Sequence, residues 1–218
     1  MNKETCLCVM AHTGAAATVS EFYPKWAACG LDVIGFYPVG DDTHPLFQRV
    51  FHVGESAHRG NKVFHRFADT VEATCKLGYH RVMLIEYDCV PLRPLLPMWF
   101  DGSFTSTLER DLHSFGVQDN HQVCSYCPYI YTQDVGMQLV ESARTHLDAD
   151  GDAQRFDGLL DRWLHYACEK ARLKPFSVLD SGGWVHNMTP ENIEMRGFNW
   201  CHGYKSKERF GHLWKDET

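Results

Sequence analysis

The stretch from Asn61 to Val90 constrains this chain most, because a strongly one-sided helix pattern runs straight into an apolar strand that ends in acid. Val63, Phe67, Val71 and Cys75 recur every four residues, with Phe64 and Ala68 beside them, which predicts a helix over 61–76 with one apolar face. Gly78 is a natural stop. Arg81-Val82-Met83-Leu84-Ile85 then has the length and composition of a buried strand, and Glu86-Tyr87-Asp88 closes it. Strand residues i and i+2 point to one side, so Glu86 and Asp88 are expected to project together. Two carboxylates in an apolar setting need positive charge nearby, and a divalent cation is the simplest source. The plainer alternative is a strand end carrying two solvated acids.

The chain before this unit alternates in the same way. Thr5–Met10 is a short apolar run, read as a first strand, and Ala11-His12-Thr13-Gly14 is a turn at its end. Val19, Phe22, Trp26 and Cys29 predict a helix over 18–29, with Pro24 as an awkward interior residue. Leu31–Val39 is a second strand closed by Gly40-Asp41-Asp42, and 43–51 is expected to be mostly loop. Strand, helix, strand, helix, strand implies an α/β fold: a Rossmann-like domain with a central, mainly parallel sheet flanked by helices. The acid pair then lies beyond the carboxyl end of a strand, the edge where open α/β sheets bind ligands.

Downstream, Pro91, Pro94 and Pro97 break regular structure, and Met98–Phe104 reads as aromatic loop. A strand is expected within His121–Tyr131, at an edge or bulge because of Pro128. Helices are expected over 132–146 and 157–173, the latter with Leu160, Trp163, Leu164, Ala167 and Ala171 inward. A short strand follows at Pro175–Leu179, and beyond Trp184 the pattern dissolves into His- and aromatic-rich sequence.

Composition narrows the class. A chain of 218 residues is long enough to bury a real core and is read as one domain. The net charge of -7 argues against a general polyanion binder. Nine cysteines, an odd number placed mostly in apolar runs, suggest reduced thiols. No leader pattern and no bilayer-length apolar run is visible, so a cytoplasmic protein with no membrane span is expected. Cys124-Ser125-Tyr126-Cys127 would need a second Cys pair of similar spacing to hold zinc, and Cys6-Leu7-Cys8 does not supply one.

An apolar strand ending in acid-x-acid, midway through a chain that opens as strand–helix–strand, resembles the metal-binding motif of GT-A-fold glycosyltransferases. Glu86-Tyr87-Asp88 stands where that family carries Asp-x-Asp. Cys201-His202-Gly203-Tyr204-Lys205 is similar to the family's C-terminal segment, in which a His completes the metal site and a Gly and Lys contact the diphosphate. The spacing here is tighter, and no Pro-Trp follows. His186 and His212 therefore stay open beside His202.

The resemblance implies a single GT-A-like domain, with 1–90 as the nucleotide-sugar-binding half and 91–218 as the acceptor half and tail. It implies Mn²⁺ or Mg²⁺ held by Glu86, Asp88 and His202, and Lys205 on the phosphates. Ala11, His12 and Thr13, at the end of the first strand, and Asp41, at the end of the second, resemble positions that hold base and ribose. Arg59 and Lys62 resemble a nucleotide-contacting segment at a helix start, where amides attract phosphate. Asp157, with Asp161 one turn on, resembles the general base of inverting members. Asp at a helix start is also an ordinary cap, and the other positions serve equally in turns.

The function implied is transfer of a sugar from a nucleotide-diphosphate sugar, a UDP-sugar first, to a hydroxyl acceptor on a glycan, a protein or a hydroxymethylated DNA base. Trp99, Phe100, Tyr126, Tyr129, Tyr131, Trp184 and Trp200 offer rings that stack on sugars or bases alike. The basic run Lys205, Lys207, Arg209, Lys215 suits a phosphate backbone. A nucleotidyltransferase of related fold is the alternative enzyme, although Ala11-His12-Thr13-Gly14-Ala15 lacks the Gly-rich, Arg-containing loop of such proteins. A non-catalytic GT-A-like binding module is the alternative outside enzymes.

Overall fold

A computed structural model describes residues 4–55, 61–91, 95–106, 108–110, 122–124, 127–147, 160–173, 176–177, 184–186 and 200–202, the C-terminal strands as backbone. The order is β1 (Thr5–Met10), α1 (Ala16–Ala27), β2 (Asp32–Tyr37), β3 (Val50–His52), α2 (Asn61–Cys75), β4 (Arg81–Glu86) and β5 (Val90–Pro91). There follow β6 (Phe104–Ser106), β7 (Leu108–Arg110), β8 (Gln122–Cys124), β9 (Tyr129–Thr132), α3 (Gln133–Leu147), α4 (Leu160–Lys170), β10 (Phe176–Ser177), β11 (Trp184–His186) and β12 (Trp200–His202).

The main sheet has seven strands in the order β10-β6-β9-β4-β1-β2-β3. β1, β2, β3 and β4 are mutually parallel, β9 is antiparallel to both β4 and β6, and β10 is parallel to β6. The fold is thus mixed α/β with a mostly parallel central sheet, as expected. β2 and β4 lie on opposite sides of β1. Right-handed crossovers to either side put α1 on one face of the sheet and α2 on the other. α3 and α4 pack with α2. Among the described residues no helix is long and apolar enough to cross a membrane.

The apolar runs explain the layering. Cys6, Leu7, Cys8 and Val9 of β1 and Val82, Met83, Leu84 and Ile85 of β4 are all buried, as strands covered on both faces must be. The α2 residues Phe64, Phe67, Ala68, Val71 and Cys75 are buried, and Phe64 stacks on Trp163 of α4 at 5.3 Å. Pro24 is accommodated inside α1 while Val19, Phe22 and Trp26 face inward.

Several boundaries differ from those the sequence suggests. The expected loop over 43–51 contains the start of β3, a short edge strand whose residues are half-buried or exposed and so carry no periodic signal of their own. The single strand expected within 121–131 is two strands in different sheets. β9 is interior, not an edge. Pro128 precedes its first residue, so the ladder loses no donor. In the stretch read as aromatic loop, Pro97–Phe100 is a short 3₁₀ turn and Phe104 opens β6. The patternless tail forms β11 and β12, and β12 pairs antiparallel with β5 in a separate three-stranded sheet.

Candidate functional site

The carboxyl ends of β1 and β4 form the centre of the site. Strand order reverses between these two strands, because the chain leaves β1 toward β2 and β3 and returns through α2 to β4 on its other side. A crevice is expected at such a switch point. The residues at this point are Ala11, His12 and Thr13 on one strand end and Glu86, Tyr87 and Asp88 on the other. The Tyr87 amide donates to the Met10 carbonyl at 3.0 Å, and the His12 and Tyr87 rings meet edge-to-face at 4.8 Å.

Thr13 and Asp41 lock the ends of β1 and β2 together. The Thr13 amide donates to Asp41 Oδ2 at 2.8 Å, and the Asp42 amide donates to Thr13 Oγ1 at 3.0 Å. The structure therefore brings together Ala11, His12, Thr13 and Asp41, which the sequence places only as separate turn residues.

The acid pair is arranged differently from the strand expectation. β4 stops at Glu86, and residues 86–89 turn, closed by the Cys89 amide donating to the Glu86 carbonyl at 3.0 Å. The i, i+2 rule therefore does not place Asp88. Glu86 is half-buried, whereas Asp88 is 0% exposed. A carboxylate withdrawn this far from water needs compensating charge or donors around it. Trp26 of α1 pins the far end of the turn, with Nε1 donating to the Cys89 carbonyl at 2.8 Å.

The tail reaches the same turn. Cys201 of β12 is paired with Val90 of β5, and β12 runs antiparallel, so His202 lies one step nearer the Asp88 turn. β11 sets His186 in register with His202. Two of the three histidines left open by the sequence, His186 and His202, are thus backbone neighbours in one small sheet beside the acids. His212 lies outside the described residues. Oxygen donors of one buried and one half-buried carboxylate, with an imidazole-bearing residue on the adjoining strand, fit a hard or borderline divalent cation such as Mg²⁺ or Mn²⁺. Among the described residues there is no group of three His, Cys, Asp or Glu side chains that could hold a metal, and His202 is described as backbone alone.

Arg66 escapes a sequence reading. It lies on α2 next to the inward-facing Phe67, and its Nη2 donates to the Ala11 carbonyl at 3.0 Å. Burial lowers its pKa from the ordinary arginine value, while the carboxylates of Asp41 and Glu86 act in the opposite direction. A guanidinium stays charged under such conditions, so the crevice holds a fixed cation. The only sequence signal is a charged residue at the margin of an otherwise apolar helix face.

The remaining candidates are scattered. Lys62 is exposed and ion-paired with Glu55 at 2.5 Å. Asp161 lies in the first turn of α4, described as backbone. Arg59, Asp157 and Lys205 lie outside the described residues, as do Lys207, Arg209 and Lys215 of the basic run. Three of the rings expected to stack on an acceptor are core instead: Trp99 and Tyr131 are 0% exposed and Tyr129 is 3% exposed. Tyr129 and Tyr131 belong to interior strand β9, and Trp99 sits in the 3₁₀ turn before β6, where its carbonyl accepts from Thr105 Oγ1 at 2.8 Å. Phe100 is half-buried. Tyr126 lies outside the described residues, and for Trp184 and Trp200 the description is of backbone alone. No protein-family model and no curated protein matches the sequence.

Proposed function

We propose that this protein is a GT-A-type glycosyltransferase that depends on a divalent cation and moves a sugar from a nucleotide-diphosphate sugar to a hydroxyl acceptor. The observation that carries this reading is the pairing of β12 with β5, which brings the His202 backbone to the turn that holds Glu86 and Asp88. Residues more than a hundred positions apart in the chain thereby converge on the carboxyl edge of a mostly parallel sheet, at its switch point.

In this reading Glu86, Asp88 and His202 hold Mn²⁺ or Mg²⁺. When bound, the cation would supply counter-charge to a diphosphate leaving group. Arg66 adds a second, permanent positive charge facing the same crevice. Asp41, fixed by the Thr13 amide, offers a carboxylate edge suited to ribose hydroxyls. The His12–Tyr87 pair supplies a rigid aromatic wall for a base. Asp157 is assigned as the base that takes the acceptor proton, with Asp161 one turn along. A carboxylate at a helix start is a weak base, yet it assists when the proton leaves as the new bond forms.

The test is nucleotide release from a panel of nucleotide sugars, UDP-sugars first, with glycan, protein and hydroxymethylated-DNA acceptors. Turnover is expected with Mn²⁺ or Mg²⁺ and none with a chelator. Full turnover in the chelator overturns the metal assignment. Absence of turnover across the panel, with Mn²⁺ and nucleotide still bound, would favour a binding module on the same fold.

A further inference from the structure

Cys89 adjoins Asp88 in sequence, and its Sγ lies 3.0 Å from Sγ of Cys127. Both residues are buried, at 0% and 1% exposure. Cys127 also touches the other end of the acid turn, because the Glu86 amide donates to its Sγ at 3.4 Å. The turn that carries both acids is thus touched at each end by one sulfur, that of Cys127. The chemistry assigned to the crevice uses neither thiol.

We propose that Cys89 and Cys127 form a reversible thiol–disulfide pair that controls whether the Glu86–Asp88 turn can hold its cation. Its effect on the cation rests on the metal reading above. The oxidant is a hydroperoxide. One thiol sulfur takes the terminal oxygen as the O–O bond breaks, giving a sulfenic acid and an alcohol, or water from hydrogen peroxide. The second sulfur then displaces the sulfenic hydroxyl, which leaves as water with the second thiol proton. Two thiols and one hydroperoxide become one disulfide, one alcohol and one water. An external dithiol reverses the step by exchange.

The geometry explains why the bond would matter. A disulfide holds its sulfurs at about 2.05 Å, roughly 1 Å closer than the present contact. That contraction draws Cys89, and Asp88 with it, toward β9. Metal–ligand distances tolerate shifts of only about 0.2 Å. Cys6 and Cys8 also approach closely, at 3.6 Å, but they share one strand. Same-face neighbours on a strand stand about 6.6 Å apart along it, at the outer limit of disulfide geometry. Burial makes the Cys89–Cys127 reaction slow, limited by local opening rather than by oxidant concentration.

The experiment treats the full chain with excess hydrogen peroxide, alkylates the remaining thiols and maps peptides by mass spectrometry. Mn²⁺ binding is followed by electron paramagnetic resonance, and hydrogen exchange is followed in the peptide spanning Glu86–Cys89. A Cys89–Cys127 cross-linked peptide is expected, with Mn²⁺ affinity reduced at least about tenfold and restored by dithiothreitol. Cys127→Ser, and Cys127→Ala should the serine misfold, are expected to bind Mn²⁺ as the reduced wild type does and to ignore the oxidant. Alkylation of both thiols after oxidation overturns the proposal. So does a cross-link that leaves Mn²⁺ affinity unchanged. A reduced protein that binds no Mn²⁺ overturns the metal reading instead. Hydrogen exchange then decides the sulfur pair alone, with altered exchange at 86–89 supporting it and unchanged exchange sinking it.

Discussion

Arg66 illustrates how one side chain can act in two opposite ways at one site. Its guanidinium is a fixed positive charge near Asp41 and Glu86 and donates to the Ala11 carbonyl. It repels a divalent cation and attracts an anionic nucleotide. Arg66→Met is therefore expected to tighten Mn²⁺ binding while weakening nucleotide-sugar binding, the latter by about 1.5–3 kcal/mol if a charge-assisted hydrogen bond is lost. Titration calorimetry with Mn²⁺ and with UDP separately reads the two signs, and changes of the same sign would remove Arg66 from the site. Tyr79 offers a residue-scale test of the scaffold. Its hydroxyl donates to the Asp32 carboxylate and accepts from Arg49 Nη1 at 3.0 Å. Burial, and then Asp32, push its pKa up to about 12. The unfolded tyrosine titrates near 10. Between these values the unfolded chain binds fewer protons than the folded one, so stability falls as pH rises. The contribution is whole below about pH 10 and lost toward pH 12. Denaturation midpoints across that window should fall in the wild type and less so in Tyr79→Phe.

At the scale of elements, the close approach of α3 to α2 and β9 depends on Gly136. A Cβ there would stand 2.5 Å from Cys75 Sγ and 2.9 Å from the Tyr131 ring. Tyr131 is fully buried, and its hydroxyl is bonded to Thr74 Oγ1 at 2.8 Å, so neither neighbour can yield freely. Alanine is the better helix former by about 1 kcal/mol, yet overpacking costs about 1–3 kcal/mol. Gly136→Ala is expected to lower stability, measured by denaturant midpoint. Adding Cys75→Ala should recover part of the loss, since it removes the nearest clash. An unchanged midpoint would mean that α3 shifts outward at no cost.

For the whole molecule, the cation is expected to tie the tail to the main sheet. A ligand that binds only the folded state at a hundredfold over its dissociation constant adds about 2.7 kcal/mol. For a chain of this size each kcal/mol is worth about 2–4 °C in melting temperature. Saturating Mn²⁺ should therefore raise the melting temperature by about 5–10 °C, and a chelator should reverse it. His202→Ala should abolish that rise. If His186→Ala abolishes it and His202→Ala does not, the register neighbour is the ligand.

The local code of this chain is strong where burial is symmetrical. β1 and β4 run as Thr5–Met10 and Arg81–Glu86, within a residue of the bounds their apolar runs suggest, and α2 as Asn61–Cys75 follows from its four-residue repeat. Such segments are buried by their own pattern wherever the rest of the chain goes. The strand–helix alternation likewise determined the mostly parallel sheet, and with it the edge on which Glu86 and Asp88 stand. Tertiary structure decided the rest. β3, β5, β11 and β12 are two or three residues long and exist only through their partners, so no local period marks them. β9 is interior although Pro128 precedes it, because the chain enters the ladder one residue later. The turn after β4 separates buried Asp88 from half-buried Glu86, while the Arg66 contact with Ala11, the meeting of Cys89 with Cys127, and the approach of the His202 backbone to the acids all join residues far apart in the chain. Their side chains show no pattern until the sheet has brought them to one edge.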